Sequence, residues 1–246
     1  MMVSVNKFSE KKDLAHRLGE VVVNAQDEAL KHSDVFNLAI SGGSLVNVLH
    51  STLIEDKDFA PKVKWDKWRV YFCDERIVPL DHADSNYGAF KTAVLDKLEQ
   101  KVQVFPIDES LVNGGEKEFK EIAEKYAAII PKSFDLILLG CGPDGHTCSL
   151  FPGEKHAYLL QEREKRVCWC HDSPKPPPNR VTFTIPVLED AKQLVFVAEG
   201  ASKQDIMHQI FDLKNNELPT ALINSLFTTK VTWIVNDEAF AKVQTA

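Results

Sequence analysis

Residues 134–146 read Phe-Asp-Leu-Ile-Leu-Leu-Gly-Cys-Gly-Pro-Asp-Gly-His, and this segment decides the fold class. Its apolar run is too short to span a membrane and is typical of a buried parallel strand. Open α/β sheets bind ligands beyond the carboxyl ends of their strands, where the glycines and His146 follow. A histidine there can act as a base near neutral pH, and Asp144 can tune it. The alternative is that Asp144 caps a helix and His146 is only a polar residue.

Length, composition and charge limit the class of protein. The chain has 246 residues, of which 44% are apolar, and this suits one large α/β domain over residues 1–246. The net charge of −7, with no long basic run, makes nucleic acid and anionic membranes poor partners. Segment 1–8 lacks a signal-peptide core, and the five cysteines lack a disulfide-scaffold pattern. We therefore expect a cytoplasmic protein with free thiols.

The apolar pattern predicts strands that alternate with helices. Helices are predicted over 10–31, after Ser44 through Leu53, from Ser85 through Leu98, and over 115–130, 202–212 and 237–243. Strands are predicted over 35–40, 68–73, 134–139, 166–170, 180–185, 193–198 and 231–235. This alternation indicates an α/β fold with a mostly parallel central sheet flanked by helices on both faces.

A second candidate site is Ser41-Gly42-Gly43-Ser44, between a predicted strand and a helix. Adjacent glycines allow a tight turn that exposes backbone amides, and a helix N-terminus behind them adds partial positive charge. The segment predicts a phosphate-binding turn, although an ordinary strand-to-helix turn has the same pattern. It matches neither the Gly-x-Gly-x-x-Gly nor the Gly-x-x-x-x-Gly-Lys pattern, which disfavours a dinucleotide or a nucleoside triphosphate.

Charged side chains near other predicted strands are candidates for the same edge of the sheet. Asp74 and Arg76 follow a strand, and Asn86 lies in the loop after them. Arg180 precedes a strand, and Lys203 lies early in a helix. Each of these residues alone is also typical of a solvated surface. Together with the glycine turn they offer the several converging donors that a phosphate requires.

Segment 173–179, Ser-Pro-Lys-Pro-Pro-Pro-Asn, is a compositional break. It predicts a stiff polyproline loop, which we interpret as a rigid strut that presents Arg180; a ligand for another protein is the alternative. Cys168, Cys170 and His171 faintly resemble a metal-binding group, but no second ligand pair follows at zinc spacing. We therefore predict no metal and no cofactor.

Nucleophilic catalysis has little support in the sequence. The chain has no Gly-x-Ser-x-Gly motif of the kind that presents a catalytic serine. Cys141 and Cys148 flank the histidine, and we interpret them as small buried residues rather than nucleophiles.

Five segments, in order along the chain, resemble the 6-phosphogluconolactonases. They are Ile-Ser-Gly-Gly-Ser at 40–44, Phe-Cys-Asp-Glu-Arg-Ile-Val-Pro at 72–79, Asp-Ser-Asn-Tyr-Gly at 84–88, residues 139–152 with Asp-Gly-His, and Asn-Arg-Val-Thr at 179–182. Each segment is modest, but the ordered set is specific and covers nearly the whole chain. Segment 172–178 looks like the animal-type enzymes. The resemblance implies a Rossmann-like three-layer fold, as in glucosamine-6-phosphate deaminase.

The related deaminases provide the main alternative. They have an acidic residue five positions after the histidine, which assists ring opening, whereas this chain has Phe151 there. A phenylalanine cannot exchange a proton, so the lactonase is favoured. A sugar-phosphate sensor that has lost its chemistry is a further alternative, but His146 is present and no DNA-binding module is seen. A metal-dependent hydrolase would need ligands that the sequence does not offer.

The resemblance also implies roles for the candidate residues. The substrate would be 6-phospho-D-glucono-1,5-lactone, and His146 would take a proton from a water that attacks C1 while Asp144 orients the ring. Arg76 would stabilise charge at the lactone oxygens, with Asp74 holding nearby groups. The phosphate would bind at residues 41–44, with Lys203 and Arg180 as counter-charges, and Asn86 would contact the substrate. Animal-type relatives suggest a monomer.

Overall fold

A seven-stranded parallel sheet forms the centre of this computed structural model, which describes residues 3–244. The strands of the described chain are β1 Ser4–Phe8, β2 Phe36–Ile40, β3 Trp68–Phe72, β4 Asp74–Arg76, β5 Gln103–Phe105, β6 Leu136–Gly140, β7 Val167–Cys170, β8 Arg180–Phe183, β9 Leu194–Ala198 and β10 Val231–Asn236. The helices are α1 Lys11–Ala29, α2 Leu45–His50, α3 Asn86–Ala93, α4 Glu116–Ile129, α5 Ala157–Leu160, α6 Ile185–Asp190, α7 Gln204–Phe211, α8 Pro219–Leu226 and α9 Asp237–Phe240.

The order of the strands creates a crevice at the middle of the large sheet. The order is β1-β10-β9-β6-β2-β3-β5, and all the pairings are parallel. From β2 the chain builds outward through β3 and β5, and it then returns to the other side of β2 with β6. A reversal of this kind opens a crevice beyond the carboxyl ends of the two central strands, β2 and β6.

Strand β6 shows why helices cover both faces of the sheet. Leu136 and Leu138 pack into one apolar layer, whereas Ile137 and Leu139 pack into the other, and all four are fully buried. Successive side chains of a strand point to opposite faces, so an unbroken apolar run needs cover on both sides. Helices α1 to α3 contribute residues to the first layer, and α4, α7 and α8 contribute residues to the second. The predicted α/β architecture is confirmed.

A second, three-stranded antiparallel sheet was not predicted. Its order is β4-β8-β7, so the predicted strands 166–170 and 180–185 belong here rather than to the central sheet. The strand predicted to reach residue 185 ends at Phe183, because Ile185-Pro186 begins α6 with proline in the first turn. The short β4 brings Asp74 and Arg76 next to β8, which starts at Arg180.

Most predicted helices are present with adjusted ends. The helices predicted over 10–31 and 115–130 are α1 and α4 within two residues. The helix predicted through Leu53 is regular only to His50, and a wider turn, Ser51–Glu55, continues it. Ser85 caps α3 as predicted, since its hydroxyl accepts the N–H of Gly88, but α3 ends at Ala93. Helices α7 and α9 are shorter than predicted.

Most of the elements that the prediction missed are short or lie at an edge of the central sheet. Edge strands β1 and β5 carry polar residues such as Asn6 and Gln103 and are only partly buried. Helices α5, α6 and α8 were also missed, and α5 and α6 span four and six residues. No helix within residues 3–244 combines the length and apolar character needed to cross a bilayer. The ends of the predicted domain 1–246, residues 1–2 and 245–246, lie outside the described chain.

Candidate active site

A cavity of about 210 Å³ lies at the carboxyl edge of the central strands. The turns after β2 and β6 form two of its walls, and residues of β4, α3 and β8 and the turn after β9 form the rest. All but one of the predicted site residues border it: Ser41, Gly42, Gly43, Ser44, Asp74, Arg76, Asn86, His146, Arg180 and Lys203. Asp144 is the exception, because it lies behind His146. Residues separated by up to about 160 positions in sequence therefore meet at one crevice, as expected for a strand-order reversal.

The turn after β2 requires its two glycines for different reasons. Gly43 has a φ of 69°, in the left-handed region that glycine adopts without strain. A Cβ at Gly42 would lie 1.8 Å from Oδ1 of Asn86, so only glycine lets the turn approach that side chain. Ser41 is buried, and its hydroxyl has no hydrogen-bond partner in the described chain. Ser41 borders the cavity, so an unpartnered hydroxyl group lies next to it.

Asp74 is held rigidly at the cavity wall. Its Oδ2 accepts a hydrogen bond from the hydroxyl of Ser149 at 2.7 Å, and its Oδ1 lies 3.4 Å from Nδ2 of Asn86. Asn86 also donates to the backbone carbonyl of Asp74 at 2.8 Å. The carboxylate and the amide therefore fix each other's orientation.

His146 and Asp144 form a close pair. Nδ1 of His146 lies 2.5 Å from Oδ1 of Asp144. Burial alone would raise the pKa of Asp144, but the hydrogen bonds and charges of His146 and Lys175 outweigh burial and hold that pKa well below its usual range. The carboxylate is therefore ionised and can only accept, so Nδ1 carries the proton and donates it. In the neutral imidazole with this tautomer, the other ring nitrogen, Nε2, has a free lone pair.

Two glycines, Gly142 and Gly145, shape the turn that carries this pair. The N–H of Gly142 donates to the carbonyl of His146 at 2.9 Å, and the N–H of Gly145 donates to the carbonyl of Gly142. A Cβ at Gly142 would lie 2.0 Å from Nδ1 of His146, and Gly145 has a φ of 79°. The next helix, α5, begins only at Ala157, so the interpretation of Asp144 as a helix cap is wrong.

Comparison with known proteins shows which family this chain belongs to. The family described as glucosamine-6-phosphate isomerases/6-phosphogluconolactonase matches residues 9–233. The chain belongs to this family. It is 61% identical to the 6-phosphogluconolactonase 3 of Saccharomyces cerevisiae over 246 residues, with 99% of each chain covered. It is 41% identical to the Homo sapiens 6-phosphogluconolactonase over 253 residues, which cover 98% of this chain and 93% of the human one.

Solved structures of both branches of the family share the fold. The 6-phosphogluconolactonase of Leishmania guyanensis has a TM-score of 0.84 at 24% identity, with 100% of each chain covered. A monomeric glucosamine-6-phosphate deaminase has a TM-score of 0.75 at 16% identity, with 98% of this chain and 100% of that chain covered. Because both kinds of enzyme have this fold, the fold alone does not distinguish them.

Phe151 lies beside the histidine, outside the set of residues that border the cavity. Its ring is fully buried, and its centroid lies 4.8 Å from that of His146. The guanidinium of Arg180 lies 5.7 Å from the same ring. The sequence resemblance implies that a deaminase has an acid at this position. In this member of the family, an apolar ring covers that side of the histidine.

Arg180 interacts with the proline-rich loop differently from the prediction. Its side chain is only 2% exposed, and it donates to the carbonyls of Lys175, Pro176 and Pro177. The remaining nitrogen, Nη1, lies 3.9 Å from Oδ2 of Asp74. Arg180 therefore holds the loop in place rather than being presented by it, and only part of the guanidinium is left for a ligand.

The other two cations at the cavity are less engaged. Lys203 forms no ion pair within 4 Å in the described chain, and burial lowers its pKa, opposed by the nearby Cys141. Nη1 of Arg76 donates to the carbonyl of Asp84 at 3.0 Å, while its buried Nε has no partner among residues 3–244. Both side chains can therefore offer donors to an anionic ligand.

Sequence reasoning missed Glu75, which is 1% exposed between two of the site residues. Its carboxylate accepts the backbone N–H groups of Arg76, Asn86 and Tyr87, each at 2.8 Å, and the Ser85 hydroxyl lies 3.3 Å away. Burial raises the pKa of Glu75 to about 7, although the three backbone donors oppose the shift. Glu75 ties β4 to the start of α3, and the available signal was its charge directly after a buried strand.

Sequence reasoning also missed Lys175. Its Nζ lies 3.1 Å from both Oδ1 of Asp144 and Nδ1 of His146. The sequence showed it only as a single cation inside the predicted stiff loop 173–179.

The cysteines beside the cavity are buried, and the group of possible metal ligands in the described chain lies away from it. Cys141 and Cys148 are buried, as predicted, and burial raises the pKa of Cys141 to about 12, which leaves it a poor nucleophile. Within residues 3–244, the His, Cys, Asp and Glu side chains that converge in a group of three are those of His16, Asp56 and Asp58. None of these three borders the cavity.

Proposed function

We propose that this protein hydrolyses 6-phospho-D-glucono-1,5-lactone to 6-phospho-D-gluconate, a step of the oxidative pentose phosphate pathway. The observation that supports this most strongly is the oriented His146–Asp144 pair beside a glycine turn with a free serine hydroxyl. The 61% identity to a yeast 6-phosphogluconolactonase over the full length supports the same substrate.

The substrate needs only modest catalytic help. A δ-lactone is an activated ester that opens in water, so neither a covalent nucleophile nor a metal is required. One positioned general base supplies about 10²–10⁴-fold in rate. Orientation of the sugar and stabilisation of the oxyanion add further acceleration.

His146 acts as the base through Nε2. Because Nδ1 donates its proton to Asp144, Nε2 is free to accept a proton from a water molecule as the water oxygen bonds to C1. The negative charge of Asp144 stabilises the imidazolium that forms. When the tetrahedral intermediate collapses, the bond between C1 and the ring oxygen breaks. His146 then returns its proton to that oxygen, which leaves the open acid and a neutral histidine.

The phosphate binds at the turn after β2. The Ser41 hydroxyl and the amides of residues 42–44 donate to its oxygens, and Lys203 supplies the main counter-charge. Arg180 contributes less charge to the phosphate than Lys203, because its Nε and Nη2 already donate to the loop carbonyls.

The polar groups of β4 and α3 face the sugar ring. Arg76 stabilises the negative charge that develops on the lactone oxygens, since its guanidinium borders the cavity with unused donor capacity. Asp74 and Asn86 hold each other in place. The Asp74 carboxylate accepts hydrogen bonds from the sugar hydroxyls, and the Asn86 amide can donate to them or accept from them.

The proposal includes a cellular setting. The protein is a cytoplasmic monomer that acts on a small sugar phosphate and has neither a nucleic-acid nor a membrane partner. The acidic net charge of −7 supports the exclusion of polyanionic partners. Size-exclusion chromatography tests the monomeric state, and the protein should elute at the size of one chain.

The test is an assay with freshly made 6-phosphogluconolactone, corrected for spontaneous opening. The wild-type protein should hydrolyse it much faster than unphosphorylated gluconolactone, and glucosamine 6-phosphate should release no ammonia. Ammonia release would favour the deaminase. Binding of the sugar phosphate without turnover would favour a sensor. Equal rates on the two lactones would contradict the phosphate anchor at residues 41–44.

A further inference from the structure

The proline-rich loop, residues 173–179, is fixed against the body of the protein. Arg180 donates to the carbonyls of Lys175 and Pro177 at 3.0 and 3.1 Å. Ser173 exchanges hydrogen bonds with the backbone of Lys175 through its hydroxyl, and its own N–H donates to the carbonyl of Pro178. The backbone of Lys175 is therefore held from two sides.

This anchoring delivers the side chain of Lys175 to the rear of His146. Its Nζ lies 3.1 Å from Oδ1 of Asp144 and 3.1 Å from Nδ1 of His146, and the side chain is 39% exposed. Lys175 does not border the cavity, whereas His146 does. The hydrogen-bond contacts of Lys175 with the site therefore run through the His146–Asp144 pair.

Only one arrangement of protons satisfies the three groups. If Nδ1 accepted a hydrogen bond from Lys175, its lone pair would face an ionised carboxylate oxygen 2.5 Å away with no proton between them. If Nδ1 carries the proton, both it and Nζ donate to the same Asp144 oxygen. Lys175 then reaches the imidazole only through the carboxylate, and it also repels extra positive charge on the ring.

We propose that Lys175 is a positioning residue for the hydrolysis reaction. It holds the Asp144 carboxylate against Nδ1 of His146, which fixes the tautomer whose Nε2 faces the attacking water. The role in catalysis rests on the proposed function; the proton arrangement does not.

Other charged groups near the same histidine also influence its protonation, and they must stay unchanged in the test. They come from each element that borders the cavity near it: Asp74 and Arg76 of β4, Arg180 of β8 and Lys203 after β9. His156 lies behind Phe151, with ring centroids 5.7 Å apart. All of these groups are retained in the variants below, so a change in pH dependence reports the loss of Lys175.

The activity test compares Lys175→Met and Lys175→Arg with Lys57→Met, a change of an exposed lysine outside the site. Lys175→Met should lower kcat about 10- to 100-fold, a part of what a general base supplies. KM should stay within about threefold, because the residue does not touch the substrate. The acidic limb of the rate profile should move to higher pH, and Lys175→Arg should restore much of the wild-type profile. Lys57→Met should match the wild type.

The second readout needs no substrate. The imidazole ¹⁵N resonances of His146 should show one tautomer, protonated at Nδ1, in the wild type and a mixture in Lys175→Met. Unchanged kcat, pH profile and resonances would overturn the proposal, and so would a raised KM at unchanged kcat, which would make Lys175 a binding residue. Lys175→Gln replaces the methionine variant if thermal denaturation shows that it does not fold. A wild type inactive on the lactone would contradict the proposed function, while the resonances would still test the tautomer.

Discussion

Single residues decide how close the backbone comes to the reacting groups. Gly42 and Gly142 are glycines because a Cβ at either position would overlap the Asn86 or His146 side chain. The sequence predicted the first as part of a turn with exposed amides. The structure shows a more specific requirement, which is the space that a neighbouring side chain occupies.

Gly142 gives a test at this scale. Gly142→Ala places a methyl group 2.0 Å from Nδ1 of His146, so the ring must move away from Asp144. We expect kcat to fall about 10²-fold, as when a catalytic group is misplaced by about 1 Å. Gly115→Ala is the matched control, because its Cβ would meet only Oε2 of Glu118 at 3.7 Å. Wild-type kcat in Gly142→Ala would show that the ring position is not critical.

Some site residues could be predicted from the sequence, and others could not. His146, Asp144 and Ser41 follow strands that the apolar pattern identifies, so their shared edge could be expected before the structure was known. Glu75 also follows such a strand, but its hydrogen bonds to the start of α3 could not be predicted, and Lys175 could not be placed this way. Lys175 meets Asp144 across 31 positions of chain, through a loop whose course depends on Arg180. A sequence pattern gives no information on such a contact.

At the scale of elements, the sequence did not predict the small antiparallel sheet, which brings β4 to the cavity. Strands β4, β8 and β7 are three to four residues long, and nothing in their composition shows which sheet they join. Their pairing places Arg76 opposite Arg180 and brings β4 to the cavity. Glu75, in the middle of β4, then attaches α3 to this sheet through its backbone hydrogen bonds.

Glu75 predicts a pH dependence of stability. Its pKa is about 7 in the folded protein and 4.5 in an exposed reference state. Between these values the folded protein holds a proton that the unfolded chain has released. Stability therefore falls as the pH rises through this window, by up to about 3 kcal/mol, since one pKa unit corresponds to about 1.4 kcal/mol.

Chemical denaturation at pH 5 and pH 8 tests this prediction. The fall in unfolding free energy between the two should be smaller in Glu75→Gln than in the wild type. Glu99→Gln, a change of an exposed residue, should keep the wild-type difference. Identical pH dependence in wild type and Glu75→Gln would mean that Glu75 stays ionised in the folded protein across the whole range.

At the scale of the whole molecule, the cavity joins parts that are distant in sequence. Two apolar layers pack on the central sheet, and the turns that line the cavity emerge at the edge between them. A sugar phosphate in the cavity would contact the turns after β2, β6 and β9 together. Binding should therefore stabilise the whole fold rather than a local segment.

Thermal unfolding with the reaction product tests this coupling. Addition of 6-phosphogluconate at 100 times its dissociation constant should raise the unfolding free energy by about 2.7 kcal/mol. Gluconate at the same concentration should have a much smaller effect, because it lacks the phosphate that we propose binds at the turn after β2. Equal effects of the two compounds would contradict the phosphate anchor.

The most direct measurement compares the steady-state kinetics of His146→Ala with those of His32→Ala, a change of an exposed histidine, on freshly made 6-phosphogluconolactone. If the imidazole activates water, His146→Ala should lower kcat by about 10²–10⁴-fold while KM stays within about threefold. His32→Ala should be indistinguishable from the wild type. A His146→Ala protein that is folded and turns over at close to the wild-type rate would contradict the account.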